Sequence, residues 1–188
     1  MSSKITIIGA GSVGSTIAYT LSGQDIASEL VLIDINKEKV KGEVMDIEQG
    51  TCFRDPISIV AGDYKDAKDS DIVIITSGIA RKPGQTRIEL TQTNVNILKE
   101  ITPEIVKAAP NALYIIVSNP VDIMTYVFTK ISGIRSLVPE QFWILQDFAV
   151  DCLSISRLHR ETFMHMYTES MEILLSFHGQ QHVSQASM

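Results

Sequence analysis

Three glycines near the amino terminus constrain the fold of this sequence more than any other feature. The β-branched run "KITII" is typical of a buried strand, and the pattern Gly9-x-Gly11-x-x-Gly14 follows it directly. The next segment, "STIAYTLSG", has small and apolar residues at helical spacing. A strand, a glycine-rich turn and a helix in this order predict the first unit of a sheet whose strands run parallel.

Predicted strands and helices alternate along the chain up to Gly133. The segments "ELVLIDIN", "ISIVAG", "SDIVIITSG" and "ALYIIVSNP" are typical of short strands. Between them, "NKEKVKGEVMDIEQG" is typical of a helix that ends at Gly50, and "TRIELTQTNVNILKEITPEIVKAAP" of a helix that breaks near Pro103. This order predicts an α/β fold over residues 1–133, a Rossmann-type parallel sheet with helices on both faces.

An acidic residue completes the glycine pattern. Asp34 ends the second predicted strand and lies 20 residues after Gly14. In such a unit the first glycine permits a tight turn, the second lets a pyrophosphate approach the backbone, and the third lets the helix pack on the strand. Asp34 can accept hydrogen bonds from the ribose hydroxyls of adenosine, which favours NAD over NADP. The alternative is a glycine-rich turn without a ligand, but strand, helix and acid together favour the cofactor site.

Composition and charge argue against several other classes. The 188 residues carry a net charge of −6, whereas a nucleic-acid surface needs clustered lysine and arginine. The apolar runs are too short for a membrane span, and the run before the first glycine is too short for a signal peptide. Two cysteines, Cys52 and Cys152, are too few for a disulfide framework, so a cytoplasmic location is expected. No metal site is expected, because nothing completes a ligand set around His178 and His182.

Four segments resemble one enzyme family. "GAGSVGSTIA", "LIDINKEKVKGEVMD", "IVIITSGIARKPGQTRIEL" and "PNALYIIVSNPVDIMTYVFTKISG" are similar to the lactate and malate dehydrogenases, and to the bacterial L-lactate enzymes in particular. The resemblance runs from about Lys4 to Gly133. It implies a homo-oligomer with an NAD-binding half and a catalytic half, which transfers hydride between NAD and a small 2-hydroxy or 2-keto acid. Around NAD it places Gly9, Gly11, Val13, Gly14, Asp34, Lys39, Tyr64, Gly78, Ile79, Val117, Ser118 and Asn119.

The resemblance also assigns substrate residues. Arg87 matches the family's loop arginine, which polarises the substrate carbonyl, and "ARKPGQT" before it matches the mobile loop. Asn119 is implied to contact both substrate and cofactor. Arg81 lies where lactate enzymes typically carry glutamine, and its guanidinium could bind the second carboxylate of malate or oxaloacetate. The alternatives are an Arg87 that is solvated at a helix start and an Arg81 that points into solvent.

The resemblance ends abruptly after Gly133. The family motifs "GSGTxLDxARxR" and "NVHAYxxGEHGD", which carry the catalytic machinery, do not follow. However, codons for "ETFMHMYTESMEI" permit N-V-H-A-Y-V-Y-G-E-H-G-D in the neighbouring reading frame, and the single codon of methionine fixes several of these letters. In the same frame "PEQFWILQDFA" permits G-T-V-L-D-T-A-R-F-R and "FHGQQ" permits P-W-S-A. Residues 134–188 are therefore predicted to be an out-of-frame remnant of the catalytic half, with the slip between Gly133 and Ser136.

Three interpretations of function follow. The first is an L-lactate dehydrogenase by descent, inactive as this chain because the catalytic histidine is in the other frame; the recoverable "GEHGD" and "SGT" are lactate-like. The second is a malate dehydrogenase, on the strength of Arg81. The third is a non-catalytic NAD-binding module. The tail is expected to be irregular or partly helical, to add nothing to the sheet after Ile134, and to leave the chain prone to aggregation.

Overall fold

A computed structural model describes most of the first part of the chain. The described residues are 3–24, 26–51, 56–80, 83–134 and 136–137. The predicted tail after Leu137, with its four histidines and Cys152, lies outside them, as do Cys52 and Arg81. The elements, in chain order, are β1 (Lys4–Ile8), α1 (Ser12–Ser22), β2 (Glu29–Ile33), α2 (Lys37–Gly50), β3 (Ser58–Ala61), a 3-10 turn (Tyr64–Ala67), β4 (Ile72–Ile75), α3 (Arg87–Ala108), β5 (Leu113–Ile116), α4 (Val121–Ser132) and β6 (Ser136–Leu137).

All pairs in the sheet are parallel, and the strand order is β3-β2-β1-β4-β5-β6. From β1 the chain extends the sheet first towards β3 and then, after crossing back to β4, in the opposite direction. Because parallel crossovers are right-handed, the two directions place their helices on opposite faces. The predicted α/β fold is confirmed.

The strand ends are level across the middle of the sheet. Ile8 pairs with Ile33 and with Ile75, and Ile75 pairs with Ile116. These four residues are the last of β1, β2, β4 and β5. The turns that follow them therefore meet at one edge, which we call the carboxyl edge.

The core on one face of the sheet is built around Tyr114 and Phe128, whose ring centroids are 4.8 Å apart. Tyr114 is fully buried, and its hydroxyl donates to the carbonyls of Ala109 (2.8 Å) and Ile105 (3.2 Å) at the end of α3. Burial raises the pKa of Tyr114 to about 12. This side chain therefore fixes the carboxyl end of α3 on the sheet.

Helix α3 does not break at Pro103, so that prediction is wrong. It continues from Arg87 to Ala108 with the proline inside. A proline removes one backbone hydrogen bond, but Leu98, Ile101 and Ile105 on the same helix are buried against the sheet. Packing on both sides of Pro103 holds the helix continuous.

The sheet also extends past Gly133. Helix α4 ends at Ser132, and its C-cap residue Gly133 is in the left-handed region (φ 70°). Three residues after Gly133, Ser136 pairs with Tyr114 of β5, and Leu137 pairs with Ile115. The prediction that nothing after Ile134 joins the sheet is therefore wrong for these two residues. Within the described residues, no helix is both long and apolar enough to cross a membrane.

Candidate cofactor site

The predicted cofactor residues gather at the carboxyl edge. The glycine turn follows β1, Asp34 follows β2, Gly78 and Ile79 follow β4, and residues 117–119 follow β5. Since the sheet grows in opposite directions from β1, the turns after β1 and β4 border the point where the strand order reverses. Ligands of open parallel sheets bind in the crevice at this point.

Steric limits explain two of the glycines. Gly9 has a φ of 103°, and a Cβ there would lie 2.8 Å from the Ser77 nitrogen. A Cβ on Gly14 would lie 1.8 Å from the carbonyl oxygen of Gly9, so no other residue fits without a shift of the turn. By contrast, a Cβ on Gly11 would meet nothing within 4 Å, because this part of the turn faces open space.

Helix α1 starts at this turn without a side-chain cap. Its N-cap residue is Gly11, which has no side chain to accept a bond, and its first turn contains no acidic residue. The first backbone N–H groups of a helix have no partner within the helix and carry partial positive charge. Uncapped, they can donate to the oxygens of a pyrophosphate.

Asp34 lies beside the glycine turn, as predicted. Its Oδ2 accepts a hydrogen bond from the Ala10 nitrogen (2.7 Å), and its Oδ1 accepts one from the Asn36 nitrogen (3.0 Å). Gly9 in turn donates to the carbonyl of Ile33 (2.7 Å). These contacts join the ends of β1 and β2. Each carboxylate oxygen has a further lone pair that a ribose hydroxyl can use.

Two other predicted residues lie on this side of the crevice. Tyr64 begins the 3-10 turn and is half-buried against the core. Burial, and then the negative charge of Asp34, raise the pKa of Tyr64. Lys39 lies in the first turn of α2, where its backbone nitrogen donates to the N-cap residue Asn36 and its side chain is exposed.

The turns after β4 and β5 are joined to each other. The Ser118 hydroxyl donates to the Ser77 carbonyl (2.7 Å), and the Val117 nitrogen donates to the Ile75 carbonyl (2.9 Å). Asn119, which is exposed, precedes Pro120 at a cis peptide bond. Ile79, in the turn after β4, is 40% exposed.

The sequence predictions missed Asn94. This residue of α3 is only 2% exposed; its Oδ1 accepts from the Ile79 nitrogen (2.9 Å), and its Nδ2 donates to the Asn119 carbonyl (2.8 Å). A signal for it was present in the sequence. Asn94 is at helical spacing from Leu98 and Ile101, which are core positions, so it is a polar residue on the buried face of a helix.

Ser77 lies between the two sides of the crevice. Its Oγ is buried and has no hydrogen-bond partner among the residues that the structure describes. Buried hydroxyl groups are almost always paired with protein, water or a ligand. An unpaired hydroxyl beside Gly9, a turn too tight for a Cβ and an uncapped helix start all fit a site that binds a polar ligand.

The predicted substrate residue Arg87 lies at the start of α3. Arg87 is the first residue of α3 and is exposed. Its position is fixed by a capping box, in which the Thr86 hydroxyl accepts from the Glu89 nitrogen (3.2 Å) and the Thr86 nitrogen donates to the Glu89 carboxylate (2.9 Å). Arg81 lies outside the described residues. Among the described residues, no group of three or more His, Cys, Asp or Glu could hold a metal ion.

The strand order, with the glycine turn and Asp34 beside the strand where that order reverses, defines a dinucleotide-binding domain of the doubly wound class. The family model for the NAD-binding domain of lactate/malate dehydrogenase matches residues 3–137. The chain therefore belongs to the lactate/malate dehydrogenase family, and its first part is the NAD-binding domain of that family.

Several curated relatives are L-lactate dehydrogenases. L-lactate dehydrogenase 1 of Clostridium acetobutylicum is 54% identical over 130 residues, which cover 69% of this chain and 42% of that protein. An L-lactate dehydrogenase of Clostridium botulinum is 52% identical over 130 residues, which cover 69% of this chain and 41% of that protein. The chain thus spans less than half the length of these relatives.

Solved structures of both kinds of dehydrogenase share the fold. The minor L-lactate dehydrogenase of Enterococcus mundtii, in a ligand-bound form, superposes with a TM-score of 0.71 and 39% identity, covering 73% of this chain and 45% of that one. The malate dehydrogenase of Archaeoglobus fulgidus, in complex with NADH, has a TM-score of 0.66 and 39% identity, covering 70% of this chain and 45% of that one.

Proposed function

We propose that this chain binds NAD at the carboxyl edge and descends from an L-lactate dehydrogenase, which transfers hydride between NAD and lactate or pyruvate. The observation that carries the proposal is the contact between Asp34 and the Ala10 nitrogen, 2.7 Å, within the glycine turn. It holds a carboxylate where a ribose would lie once its pyrophosphate is bound at the start of α1.

We propose that the residues on the β1–β2 side bind the pyrophosphate and the ribose of the cofactor. Helix α1 donates its first N–H groups to the pyrophosphate, and Gly11 leaves room for the approach. Asp34 accepts from the ribose hydroxyls. It also disfavours a 2′-phosphate, because two negative charges would then meet at short range.

We propose that the residues on the β4–β5 side orient the nicotinamide and the substrate. Bound NAD supplies the hydride acceptor or donor. Ile79 offers an apolar wall, Asn119 lies where the substrate would meet the nicotinamide, and Arg87 polarises the substrate carbonyl when its loop closes. A guanidinium does not exchange protons near neutral pH, so Arg87 cannot act as the acid or base of the reaction.

We propose that residues 134–188 are an out-of-frame remnant, so that this chain lacks the histidine that moves the hydroxyl proton. The matches to relatives support this, because they cover 130 residues and the family model ends at residue 137, close to the predicted slip. The segment Arg135–Glu140 supports it further: in the neighbouring frame "RSLVPE" permits V-I-G-S-G, directly before the recovered T-V-L-D. The domain boundary is accordingly proposed within residues 133–137.

The same proposal covers assembly. The family resemblance implies a cytoplasmic homo-oligomer for the intact enzyme. In this chain large apolar side chains are exposed, including Ile35 (98%) and Ile88 (82%). Without a catalytic half to cover such surface, the chain is expected to aggregate at high concentration.

Malate dehydrogenase is the second candidate, and the observation that favours it is Arg81. Its guanidinium can bind a second carboxylate in a bidentate manner, which pyruvate does not have. The lactate-like motifs of the neighbouring frame favour the first candidate. Substrate preference in a chain with the frame restored distinguishes the two: preference for oxaloacetate over pyruvate would favour malate.

The cofactor proposal is tested by calorimetric titration of the unaltered chain with NADH and NADPH. NADH is expected to bind more tightly, and Asp34→Ala is expected to weaken NADH binding and narrow the difference between the two cofactors. A matched control is Asp46→Ala, which removes an exposed carboxylate in α2 away from the turn. Equal affinities for NADH and NADPH in the unaltered chain would contradict the role proposed for Asp34.

A further inference from the structure

We propose that Asn94 is a positioning residue, which holds the turns after β4 and β5 in the arrangement that the nicotinamide half of the cofactor requires. The inference rests on the proposed function, since it assumes that the crevice binds NAD. It adds a residue of α3 whose side chain bonds to both turns.

Both ends of the Asn94 amide are used. Its Oδ1 accepts from the Ile79 nitrogen at 2.9 Å, and its Nδ2 donates to the Asn119 carbonyl at 2.8 Å. Because one partner is a donor and the other an acceptor, only one orientation of the amide satisfies both. With 2% exposure, little water can replace either bond. Asn94 is therefore a rigid connection between two turns that are 40 residues apart in the sequence (Ile79 and Asn119).

These two backbone groups have no partner in the sheet. Strand β4 ends at Ile75 and β5 at Ile116, so the Ile79 N–H and the Asn119 C=O lie beyond the last ladder bonds. Gly78 brings the first turn close to the amide, because a Cβ on Gly78 would lie 3.4 Å from the Asn94 side chain. Beyond the bond between Ser118 and Ser77, the relative position of the two turns thus depends on a side chain of α3.

A positioning role for Asn94 can be distinguished from a general effect on stability, because the two halves of the crevice contact different parts of the cofactor. Asp34 marks the β1–β2 side as the adenosine side, and a dinucleotide extends across the reversal of strand order to the other half. Ile79 and Asn119 then lie at the nicotinamide end. A change at Asn94 should consequently affect a ligand that carries nicotinamide more than one that lacks it.

Helix α3 connects this anchor to the substrate loop. Arg87 is the first residue of α3 and precedes Asn94 by seven residues, or about two helical turns. The amide that holds the cofactor turns therefore also fixes the helix from which the proposed carbonyl-polarising arginine projects.

The test compares two nucleotides in one variant. Asn94→Asp keeps the shape of the side chain and an acceptor for the Ile79 N–H, but it places an acceptor opposite the Asn119 carbonyl. We expect the affinity for NADH to fall about tenfold, as the loss of a buried hydrogen bond implies, and the affinity for ADP-ribose to change less than about twofold. Both ligands carry the pyrophosphate, so any effect of the added negative charge appears in both affinities. It therefore cancels in the ratio of NADH affinity to ADP-ribose affinity.

Asn96→Asp is the matched control. It makes the same change two residues further along α3, where the side chain is exposed and its Oδ1 accepts from Gln92 (3.0 Å). Both nucleotides should bind the control as they bind the unaltered chain. An equal loss of NADH and ADP-ribose affinity in Asn94→Asp, or no loss of either, would overturn the inference and leave the proposed function intact. Failure of the unaltered chain to bind NADH would instead overturn the proposed function and the inference with it.

A second measurement needs no variant. In the unaltered chain without ligand, amide hydrogen exchange at Ile79 should be slow for a residue outside any helix or strand, because its N–H bonds to a buried side chain. Gly84, in the exposed loop before α3, is the internal reference. Exchange at Ile79 as fast as at Gly84 would show that Asn94 does not anchor this turn, even if Asn94→Asp fails to fold.

Discussion

On the β1–β2 side of the carboxyl edge, the turns are held by contacts between the strand ends themselves. On the β4–β5 side, the contact between Ser118 and Ser77 is supplemented by a helix residue. Asp34 binds the Ala10 nitrogen, and Gly9 binds the Ile33 carbonyl. The other side needs Asn94 of α3 to connect Ile79 with Asn119. The contacts that hold the β1–β2 turns therefore come from within about 35 residues of sequence, as one βαβ unit allows, while those that hold the β4–β5 turns come from distant segments.

The largest expected effect is on turnover, which needs the catalytic half beside the β4–β5 turns. Pyruvate and NADH mixed with this chain should give no NADH oxidation above background, because removal of a general acid–base alone costs about 10²- to 10⁴-fold. Restoring the neighbouring frame after Gly133 should recover turnover, measured by NADH absorbance. Rapid oxidation by the unaltered chain would contradict the out-of-frame interpretation of its tail.

On the β1–β2 side, a substitution at Gly14 should disrupt the glycine turn most directly. Gly14→Ala places a Cβ 1.8 Å from the Gly9 carbonyl oxygen, so the free energy of unfolding should fall by about 3 kcal/mol and NADH binding should be lost. Gly42→Ala is the control, since it lies in α2 with nothing within 4 Å. It should raise stability by about 0.5–1 kcal/mol in urea titration. Similar stability for the two variants would mean that the turn relaxes around the added methyl group.

The sheet, the glycine turn and Asp34 could be predicted from the sequence because their determinants are local: apolar runs, glycine spacing and one acid at a strand end. Asn94 could not be assigned a role, since both partners are backbone groups of other turns. The continuity of α3 through Pro103 was missed for a similar reason. The local cost of the proline is visible in the sequence, but the burial of Ile101 and Ile105 on both sides of it depends on the assembled sheet.

Alkaline pH should loosen the packing of the carboxyl end of α3 on the sheet. The pKa of Tyr114 is raised to about 12 in the folded chain, against 10 for an ordinary tyrosine. A pKa raised by folding favours the neutral form in the folded state, so the stabilisation is complete below pH 10 and is lost between pH 10 and about 12. Melting temperatures across this range should fall less steeply in Tyr114→Phe, which removes the ionisable hydroxyl. Equal slopes would show that other groups control alkaline unfolding.

The smallest expected effect lies at Ser77, between the two sides. Its buried hydroxyl, which has no partner in the described part of the chain, should destabilise the ligand-free protein. Ser77→Ala should therefore raise the free energy of unfolding by up to about 1 kcal/mol. Ser22→Ala is the comparison, because that buried hydroxyl donates to the Tyr19 carbonyl (2.7 Å) and its loss should lower stability. If Ser77→Ala also lowers the melting temperature, an ordered water or another group pairs with the hydroxyl.

The central place of β1 also governs the order in which the chain can fold during synthesis. Strands β1, β2 and β3 pair with their sequence neighbours, so they can form as soon as about 60 residues have emerged. The other edge of β1 must wait for β4, since Thr6 pairs with Val73, 67 residues later. Until then β1 presents unpaired N–H and C=O groups, the kind of open edge at which nascent chains associate. Pairing with β4 closes that edge. A delay in the synthesis or pairing of β4 would therefore increase association between nascent chains more than a delay of any other strand.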